Sequence, residues 1–443
     1  MSSLTPIDDR ALVSVDQCVD YIAAGAKPAD RWVIGTEHEK VGYWPARRAY
    51  PTYEGPDGIG ALLEALAAEA GWEAIREGAD IVALARDGAT ITLEPGGQLE
   101  LSGAPLRRLT DGVAELDAHL AEVRAFSARF GLEWSGLGIA PQGTPADMPR
   151  MPKGRYRIMR AYLPSRGALA MHMMHQTCTV QANCDFGDEE DAMRKLRVSL
   201  WMSPFVLAMF ANSTIVDGRQ IPERSFRGEI WLHTDPDRYV FPRRLLDADA
   251  GFADYVEWAL DVPMFFLHRG GRYLDYTGAS FRGFMAGGLD GHRATVGDFG
   301  LHLSTLFPDA RLKTHLEVRA ADMGSRDYVL ALPALHTGAL YDADALRAIE
   351  RLFTAFDYDD WWALRRAVPV LGLDAKLGGV ALREIAPDVL RLARAGLTRW
   401  EPEAASLLDV LDADLASGLV PADRTRARFD GDVARLLRET RIA

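Results

Sequence analysis

The sequence predicts an α+β fold in which one mixed or antiparallel sheet carries helices packed on its outside. Helical and strand-like segments alternate along the 443 residues without the regular strand–helix–strand rhythm of a parallel sheet. Several short strands follow one another across glycine-containing turns, as neighbouring antiparallel strands do. From about residue 327 the pattern is almost wholly helical, so we expect a single domain over residues 1–443 with a mostly helical C-terminal part.

The first hundred residues predict two helices and four strands. Ser14 and Gln17 stand in a capping-box relation, which predicts the beginning of a helix. A later helix, rich in alanine and leucine, is expected to stop at Gly71, since glycine commonly ends helices. The predicted helices cover 14–24 and 57–70, and the predicted strands cover 32–43, 81–86, 89–94 and 98–102. The turns Asp87-Gly88 and Pro95-Gly96-Gly97 join the last three strands.

The rest of the chain predicts longer helices and a long central strand. Helices are expected over about 107–129 and 188–211, and strands over about 132–139, 172–186 and 313–320. A hairpin is expected over 263–276, turning on Arg269-Gly270-Gly271. Together these elements supply enough strands for one sheet and enough helices to cover it.

The composition excludes several classes of protein. A formal net charge of −13 argues against a nucleic-acid partner, because such proteins usually carry a basic excess. No apolar run approaches the ~20 residues that a membrane-spanning helix needs. Three cysteines without a CxxC pair exclude a disulfide scaffold and a zinc ribbon. The N-terminal residues lack the apolar core of a signal peptide, so we expect a cytoplasmic protein without a membrane partner.

Several strands place polar side chains on one face, because residues two apart on a strand point the same way. The first such strand carries Glu37 and Glu39. Around the Pro-Gly-Gly turn lie Glu94, Gln98 and Glu100, and the strand over 313–320 carries His315, Glu317 and Arg319. The long strand over 172–186 carries the largest set, namely His175, Thr177, Thr179, Gln181, Asn183 and Asp185.

These faces favour a cation-binding cavity over an ordinary half-exposed sheet. A solvated strand face usually mixes lysine, threonine, serine and glutamate, whereas these faces hold carboxylates with amide and hydroxyl partners. Clustered carboxylates repel one another unless cations lie among them. Oxygen ligands without cysteine suit Mg²⁺, or Mn²⁺ as the alternative. We therefore expect a cavity in which divalent cations hold phosphates.

Basic residues in three segments fit the same interpretation. Lys153 and Arg155 lie in a predicted loop, Arg227 lies in a second segment, and Arg319 shares its strand face with Glu317. Arginine binds phosphate or carboxylate oxygens through two parallel hydrogen bonds. The sequence has no Walker loop, no GxGxxG fingerprint after a strand, no HExxH helix and no GxSxG elbow. Paired carboxylates could instead serve glycoside hydrolysis, but that reaction gives Arg319 no role.

Eight segments identify the family that the sequence resembles, the plant-type glutamate–cysteine ligases, which proteobacteria also carry. They run in order from about residue 31 to 342 and read RWVIGTEHEKVGY, ITLEPGGQLELSGAP, MPKGRYRIM, TCTVQANCDF, FANS, ALDVPMFF, LEVRAAD and ALPALHTGALYD. Their number, order and spacing make the resemblance specific. The last hundred residues resemble the family only loosely.

The resemblance implies a glutamine-synthetase-like fold, in which a curved antiparallel sheet forms a funnel for ATP, Mg²⁺ and amino acids. The polar strand faces would then line the funnel. The implied metal ligands are Glu37, Glu39, Glu94, Glu100, Gln181 and Glu317. Arg319 would contact the ATP phosphates, and the implied catalytic residues are Arg319 and Glu317. The substrates would be held by Lys153, Arg155, Asn183 and Arg227.

The resemblance also implies an activity, the ATP-dependent joining of glutamate and cysteine into γ-glutamylcysteine through a γ-glutamyl phosphate, the first step of glutathione synthesis. ATP, glutamate and cysteine would be the substrates, Mg²⁺ the cofactor, and a homodimer is compatible with the family. The alternatives are a γ-glutamyl ligase that uses another amine, a non-catalytic metabolite-binding relative and a Mg²⁺-dependent hydrolase. The intact set of glutamates argues against a non-catalytic relative, which should lose metal ligands first.

The sequence departs from the plant members at the hairpin that follows the segment ALDVP. Plant members carry a redox-sensitive cysteine pair there, whereas Tyr276 occupies the first of those positions and 283–293 contain no cysteine. Redox control through this hairpin is therefore not expected. Cys178 and Cys184 are separated by ~20 Å of extended chain, which is too far for a disulfide.

Overall fold

The structure is a computed structural model that describes residues 8–443. The first seven residues lie outside the described range, and they belong to the segment in which no signal peptide is predicted. The helices within the described residues are α1 (Val15–Ala23), α2 (Ile59–Glu69), α3 (Leu109–Ala128), α4 (Gly154–Tyr162), α5 (Ala170–Gln176), α6 (Glu189–Met209), α7 (Phe226–Leu232), α8 (Pro236–Tyr239), α9 (Phe252–Asp261), α10 (Phe281–Gly287), α11 (Val296–Leu303), α12 (Arg326–Leu340), α13 (Ala343–Phe353), α14 (Tyr358–Leu371), α15 (Leu382–Trp400), α16 (Asp409–Ser417), α17 (Pro421–Arg428) and α18 (Val433–Glu439). The strands are β1 (Ile34–Tyr43), β2 (Glu73–Glu77), β3 (Asp80–Arg86), β4 (Ala89–Leu93), β5 (Leu99–Ser102), β6 (Glu133–Ser135), β7 (Val180–Cys184), β8 (Ile215–Val216), β9 (Arg219–Gln220), β10 (Phe266–Arg269), β11 (Arg272–Asp275), β12 (Ala310–Leu312), β13 (Leu316–Val318), β14 (Lys376–Leu377) and β15 (Val380–Ala381).

One sheet organises the molecule, and we call it the main sheet. Its strand order is β12-β13-β7-β1-β5-β4-β3-β2, and β6 pairs with the end of β1. Every pairing within it is antiparallel. The pairs β8–β9, β10–β11 and β14–β15 form separate hairpins. The predicted α+β class with an antiparallel sheet is confirmed.

Helices cover one face of the main sheet and leave the other available. Nearly every residue of α12 is buried, and the helix packs against β1, β7 and α15. Residues of α3 and α12 surround a small apolar cavity together with Thr36 and His38 of β1. The helical layer therefore lies on the His38 side, and Glu37 and Glu39 point to the opposite side because alternate residues of a strand change face. Within residues 8–443, no helix combines the length and apolar composition needed to cross a bilayer.

Local signals in the sequence correctly locate several element ends. α1 has the capping box of Ser14 and Gln17. α2 ends before Gly71, which has a φ of +74°. The predicted hairpin is formed by β10 and β11, and Gly270 and Gly271 have positive φ as its turn requires. Glycine is also required at position 96, where a Cβ would lie 2.0 Å from the carbonyl oxygen of His175.

The prediction of one long strand over 172–186 is wrong. Ala170–Gln176 form α5, and the strand β7 covers only Val180–Cys184. Alternating polar and apolar residues in AMHMMHQ fit a strand, but alanine, methionine and glutamine favour a helix. His175 therefore does not belong to the polar strand face. The strand predicted over 132–139 is likewise reduced to Glu133–Ser135.

Two further elements differ from their predictions. The loop predicted around Lys153 is the start of a helix, because α4 begins at Gly154 with Lys153 as its N-cap residue. β2 was not predicted, since its exposed sequence Glu73–Glu77 lacks an apolar stripe and lies at the edge of the main sheet.

Candidate active site

Polar side chains of neighbouring strands line up on one face of the main sheet. Glu37 of β1 lies opposite Gln181 of β7 and Ser102 of β5, and Glu39 lies opposite Glu100 of β5. Residues directly opposite one another in an antiparallel pair point to the same side of the sheet. The register therefore brings the carboxylates of β1 and β5 together beside the amide of Gln181.

The row of polar side chains continues toward one edge of the sheet. Glu317 of β13 lies opposite Asn183 of β7 on one side and Arg311 of β12 on the other. Arg319 follows β13, and its Nη1 donates a hydrogen bond of 2.7 Å to Oε1 of Gln181. The strand order thus places basic side chains near the β12–β13 edge and acidic side chains nearer the middle of the sheet.

This face opens into a cavity of about 920 Å³, counted with its mouth, which we call the central cavity. It is lined by Glu37, Glu39, Glu94, Pro95, Gln98, Glu100, Lys153, Arg155, Tyr156, Met159, Met173, Met174, Thr177, Thr179, Gln181, Arg227, Trp231, Ser304, Phe307, Arg311 and Arg319. The structure therefore brings together most of the residues that the sequence singles out. Asn183 lies on β7 and Glu317 on β13, but neither residue belongs to this lining.

Glu39 lies where the acidic side chains crowd together. Its Oε2 accepts a hydrogen bond of 2.9 Å from the backbone N–H of Thr179. Burial raises the pKa of Glu39 well above its usual value, and the nearby Glu94 and Glu100 raise it further. A bound cation would remove that repulsion and stabilise the ionised form.

Hydrogen bonds fix the other carboxylates of the central cavity. Oε1 of Glu37 accepts a hydrogen bond of 2.7 Å from Nδ2 of Asn183. Glu100 accepts one of 2.6 Å from the threonine hydroxyl opposite it on β4, and Glu94 accepts one of 3.3 Å from the hydroxyl of Tyr156. Asn183 thus contacts Glu37 and does not line the cavity itself.

Arg227 is held at the cavity wall by backbone carbonyls. Its Nη1 and Nη2 donate hydrogen bonds of 3.1 Å to the oxygen of Ala320 and 2.9 Å to the oxygen of Arg319. Ser225 caps α7, the helix that carries Arg227. Burial lowers the pKa of Arg227, while the nearby carboxylates Asp322 and Glu39 act in the opposite direction. The guanidinium is therefore fixed close to the acidic cluster.

A buried network, which we call the Asp309 network, supports Arg227 and Arg319 from behind. The carbonyl of Asp309 accepts a hydrogen bond of 2.9 Å from the backbone N–H of Arg319. Its carboxylate accepts a hydrogen bond of 2.7 Å from Nε of Arg365. Arg365 also donates one of 3.2 Å to the carbonyl of Gly228 in α7. Asp309 therefore connects both arginine-bearing segments, the segment of Arg319 through its backbone carbonyl and α7 through its carboxylate and Arg365.

Helix α4 supplies the remaining basic residues. Nζ of Lys153 lies 5.4 Å from the centre of the Tyr156 ring, and the guanidinium of Arg155 lies 5.6 Å from the centre of the Phe266 ring. Burial lowers the pKa of Lys153. Nε of Arg155 is buried and, among the described residues, has no hydrogen-bond partner. Such a donor is available to a negatively charged ligand.

Glu317 is surrounded by basic groups, which together with it form what we call the Glu317 cluster. Its Oε1 lies 2.5 Å from Nζ of Lys313 and 3.4 Å from Nε2 of His315, and its Oε2 lies 2.5 Å from Nε of Arg311. Oε2 also lies 3.7 Å from Nη1 of Arg319. Burial raises the pKa of Glu317, but the cations offset this effect and hold it well below its usual value.

Arg311 and Tyr156 line the central cavity but were not singled out by the sequence as functional. Arg311 lies on β12, whose three residues are too few to show an alternating pattern. Burial and the nearby Arg311 lower the pKa of Arg319 to about 10, so the two guanidinium groups influence each other. Tyr156 was noted only as part of a basic segment, but its hydroxyl contacts both Glu94 and the carbonyl of Leu93.

The donor set of the central cavity fits a hard cation. Glu37, Glu39, Glu94 and Glu100 offer carboxylate oxygens, and Gln181 offers an amide oxygen, as Mg²⁺ prefers. Within residues 8–443, however, no three His, Cys, Asp or Glu side chains come close enough together to hold a metal ion. This arrangement is compatible with Mg²⁺, which usually takes one or two carboxylates and completes its coordination with substrate phosphates and water.

The comparison with known protein families identifies relatives over most of the chain. The sequence profile of glutamate–cysteine ligase family 2 matches residues 33–439. The chloroplastic glutamate–cysteine ligase of Brassica juncea is 39% identical over 436 residues, covering 97% of this chain and 84% of the relative. The chloroplastic glutamate–cysteine ligase B of Oryza sativa is 41% identical over 407 residues, covering 91% and 82%.

A solved structure shares the fold. The glutamate–cysteine ligase of Francisella tularensis in complex with AMP superimposes with a TM-score of 0.58, covering 92% of this chain and 88% of that chain. The sequence identity of the pair is 13%, so this likeness concerns the arrangement of the main sheet and its helices alone.

Proposed function

The chain belongs to glutamate–cysteine ligase family 2, and from this premise we propose that its central cavity joins the γ-carboxylate of L-glutamate to the amine of L-cysteine. ATP activates the carboxylate, and the product is γ-glutamylcysteine, the first intermediate of glutathione synthesis. The observation that carries the proposal is the central cavity. Its lining combines acidic and basic side chains from the segments that resemble the ligase family.

The reaction needs ATP because a carboxylate does not react with an amine in water. An oxygen of the γ-carboxylate attacks the γ-phosphorus of ATP, the bond to the bridging oxygen breaks, and ADP leaves. The amine of cysteine then attacks the carbonyl carbon of the γ-glutamyl phosphate. An amide bond forms, inorganic phosphate leaves, and the amine loses a proton. The enzyme supplies positioning and electrostatic stabilisation rather than a covalent nucleophile.

We assign the phosphates to the basic residues of the central cavity. Arg319 contacts the ATP phosphates, with its guanidinium oriented by Gln181. Arg227, Lys153 and Arg155 hold phosphate or the carboxylates of glutamate. The support for these roles is burial and fixation, because a preorganised cation in a site that excludes water stabilises developing negative charge more than a flexible one.

We assign Mg²⁺ to the group of Glu37, Glu39, Glu94, Glu100 and Gln181, from which each bound ion would take one or two carboxylates together with phosphate oxygens and water, and Mn²⁺ is the alternative. When bound, the ion offsets the repulsion between the attacking carboxylate and the triphosphate. Glu317 remains a proposed metal ligand and catalytic residue. It is the least available of the set, because Arg311 and Lys313 already neutralise its charge.

The test is the dependence of ADP release on both amino acids. We expect the purified chain with ATP and MgCl₂ to release ADP only when glutamate and cysteine are both present, and to form γ-glutamylcysteine detectable by mass spectrometry. Arg319→Gln should lower the rate by about a hundredfold or more. The matched control Arg351→Gln, at an exposed position on α13, should keep the wild-type rate.

The outcomes separate this proposal from its alternatives. Equal rates with other amines would identify a γ-glutamyl ligase of broader specificity. ADP release without any amine acceptor would point to a hydrolase, and no turnover under any condition would contradict a ligase. The single-domain organisation, the cytoplasmic location, the homodimer and the lack of a nucleic-acid partner stay predictions, and the plant relatives are chloroplastic by name.

A further inference from the structure

A second large cavity lies apart from the central cavity and shares no lining residue with it. It is an open cleft of about 1370 Å³, counted with its mouth, between α3, α17, α18 and the start of α12, and Arg124 and Arg428 are exposed in it. Five arginines contribute to its lining, and we call it the arginine cavity: Arg124, Arg326, Arg424, Arg428 and Arg441. Its acidic lining residues are Asp117 and Glu439.

Three of these arginines already have acidic partners. Arg326 pairs with Asp117 at 2.5 Å. Arg424 pairs with Asp414 at 2.7 Å, and Arg441 pairs with Glu133 at 2.8 Å. The acidic lining residue Glu439 is likewise paired, at 2.7 Å, with an arginine of its own helix. Both acidic side chains of the lining are therefore already paired, and among residues 8–443 two of its five arginines have no acidic partner.

Arg124 and Arg428 carry the uncompensated charge. Nη2 of Arg124 donates a hydrogen bond of 3.1 Å to the carbonyl oxygen of Ile442, a neutral acceptor. In the part of the chain that the structure describes, Arg124 has no ion pair and Arg428 has neither an ion pair nor a side-chain hydrogen bond. Two guanidinium groups without acidic partners thus face one cavity.

The start of α12 adds backbone donors to the same cavity. Ser325 precedes this helix of 15 residues, and its side chain makes no capping hydrogen bond to the first turn. Ser325, Arg326 and Tyr328 all belong to the cavity lining. The first N–H groups of a helix lack partners within it and carry a partial positive charge. Asp327 in the first turn offsets part of this charge, so the proposal does not rest on the start of α12.

We propose that the arginine cavity binds an oxyanion of the phosphate class, either free phosphate or a small phosphorylated metabolite. Two uncompensated positive charges match a phosphate group, which carries about −1.5 to −2 charges near neutral pH. Arginine is suited to phosphate because its planar fork forms two parallel hydrogen bonds. The arginine cavity shares no lining residue with the central cavity, so a ligand bound there takes no part in the ligase reaction, although free phosphate is also a product of that reaction.

The test is phosphate binding to full-length variants by isothermal titration calorimetry at constant ionic strength. The probe is inorganic phosphate, and the Arg319→Gln background weakens binding in the central cavity. In that background we expect Arg124→Gln and Arg428→Gln each to weaken the remaining phosphate site by about tenfold, as the loss of one charge-assisted hydrogen bond does. The control Arg351→Gln removes an exposed arginine elsewhere and should leave the affinity unchanged.

Each outcome bears on the proposal. Wild-type affinity in both Arg124→Gln and Arg428→Gln overturns it, and so does the loss of all phosphate binding in Arg319→Gln alone. An equal loss in Arg351→Gln overturns it as well, because the effect would then reflect net charge. When both variants weaken phosphate binding, glycerol 3-phosphate is titrated as a second probe. Tenfold tighter binding of glycerol 3-phosphate than of phosphate identifies a phosphorylated metabolite as the ligand, and equal affinities indicate free phosphate.

Discussion

At the scale of single residues, Glu39 has the environment that most requires a positive ligand. It lies opposite Glu100 in the strand register, and Glu94 is near enough to raise its pKa further. Like charges placed directly opposite one another destabilise a sheet. The cation that we propose for this site would offset the repulsion.

We expect Glu39→Gln to lower turnover by about a hundredfold or more and to reduce the rise in melting temperature that MgCl₂ and ATP produce in the wild type. The reason is that the variant loses a carboxylate ligand and also loses the repulsion that cation binding relieves. Kinetics and thermal unfolding measure the two effects. The control Glu115→Gln changes a carboxylate on α3 and should preserve both; wild-type values in Glu39→Gln would contradict the metal assignment.

Glu317 poses a different question, because its environment is rich in cations. We expect Glu317→Gln to lower the free energy of unfolding by about 3 kcal/mol, since Arg311 and Lys313 would remain buried without their partner. Chemical denaturation measures this loss. The exposed pair of Glu64 and Arg76 provides the comparison, and Glu64→Gln should cost no more than about 1 kcal/mol.

The same variant tests the proposed metal role of Glu317. A ligand to Mg²⁺ would shift the Mg²⁺ dependence of the rate to higher concentrations, whereas a residue that serves only its ion pairs would leave that dependence in place. An unchanged free energy of unfolding would show that the Glu317 cluster does not stabilise the protein.

At the scale of elements, the Asp309 network links β12, the segment after β13, and α7. We expect Asp309→Asn to raise the KM for ATP by about tenfold with a smaller fall in kcat, because Arg365 loses its buried carboxylate partner and holds α7, the helix that carries Arg227, less firmly. Steady-state kinetics measures the separate effects on KM and kcat, and thermal unfolding controls for a loss of stability. The buried Asp414 also pairs with an arginine, but away from the central cavity, so Asp414→Asn should lower stability and leave the KM for ATP unchanged.

The elements also show how far the sequence could predict the site. Strong local signals were sufficient for β1, β4, β5 and β13, whose alternation correctly places Glu37, Glu39, Glu100 and Glu317 on their strands. The segments over 153–162 and 170–176 were misread, because short helices with mixed polarity resemble loops or strands until tertiary contacts decide. The ion pairs of Glu317 depend on the hairpin β12–β13, which alternation alone could not reveal.

At the scale of the whole molecule, the cysteines are distributed so that none forms a disulfide. Cys18, Cys178 and Cys184 are free and buried. Burial raises the pKa of Cys18 and of Cys184 to about 12, so the reactive thiolate is scarce near neutral pH. The absence of redox control through the hairpin that follows ALDVP stays a prediction.

We therefore expect iodoacetamide at pH 8 to leave the three cysteines of the native protein unmodified, and to alkylate all three in urea. Intact-mass measurement counts the modified thiols. A Val13→Cys variant, at a position that is 74% exposed, is the positive control and should react within the same period. Rapid modification of a natural cysteine, or loss of activity in oxidised glutathione, would contradict this expectation.

The sheet topology also has a consequence for the order of events during protein synthesis. The hydrogen bond between Glu37 and Asn183 spans 146 positions, and the one between Gln181 and Arg319 spans 138. At ribosomal rates of about 5–20 residues per second, roughly 15–60 s separate the translation of Glu37 from that of Arg319. During this interval the acidic strand β1 exists without the basic edge of the sheet. With the role that we propose for Arg319, a nascent chain that stalls before β13 lacks the basic half of its site and is expected to be inactive.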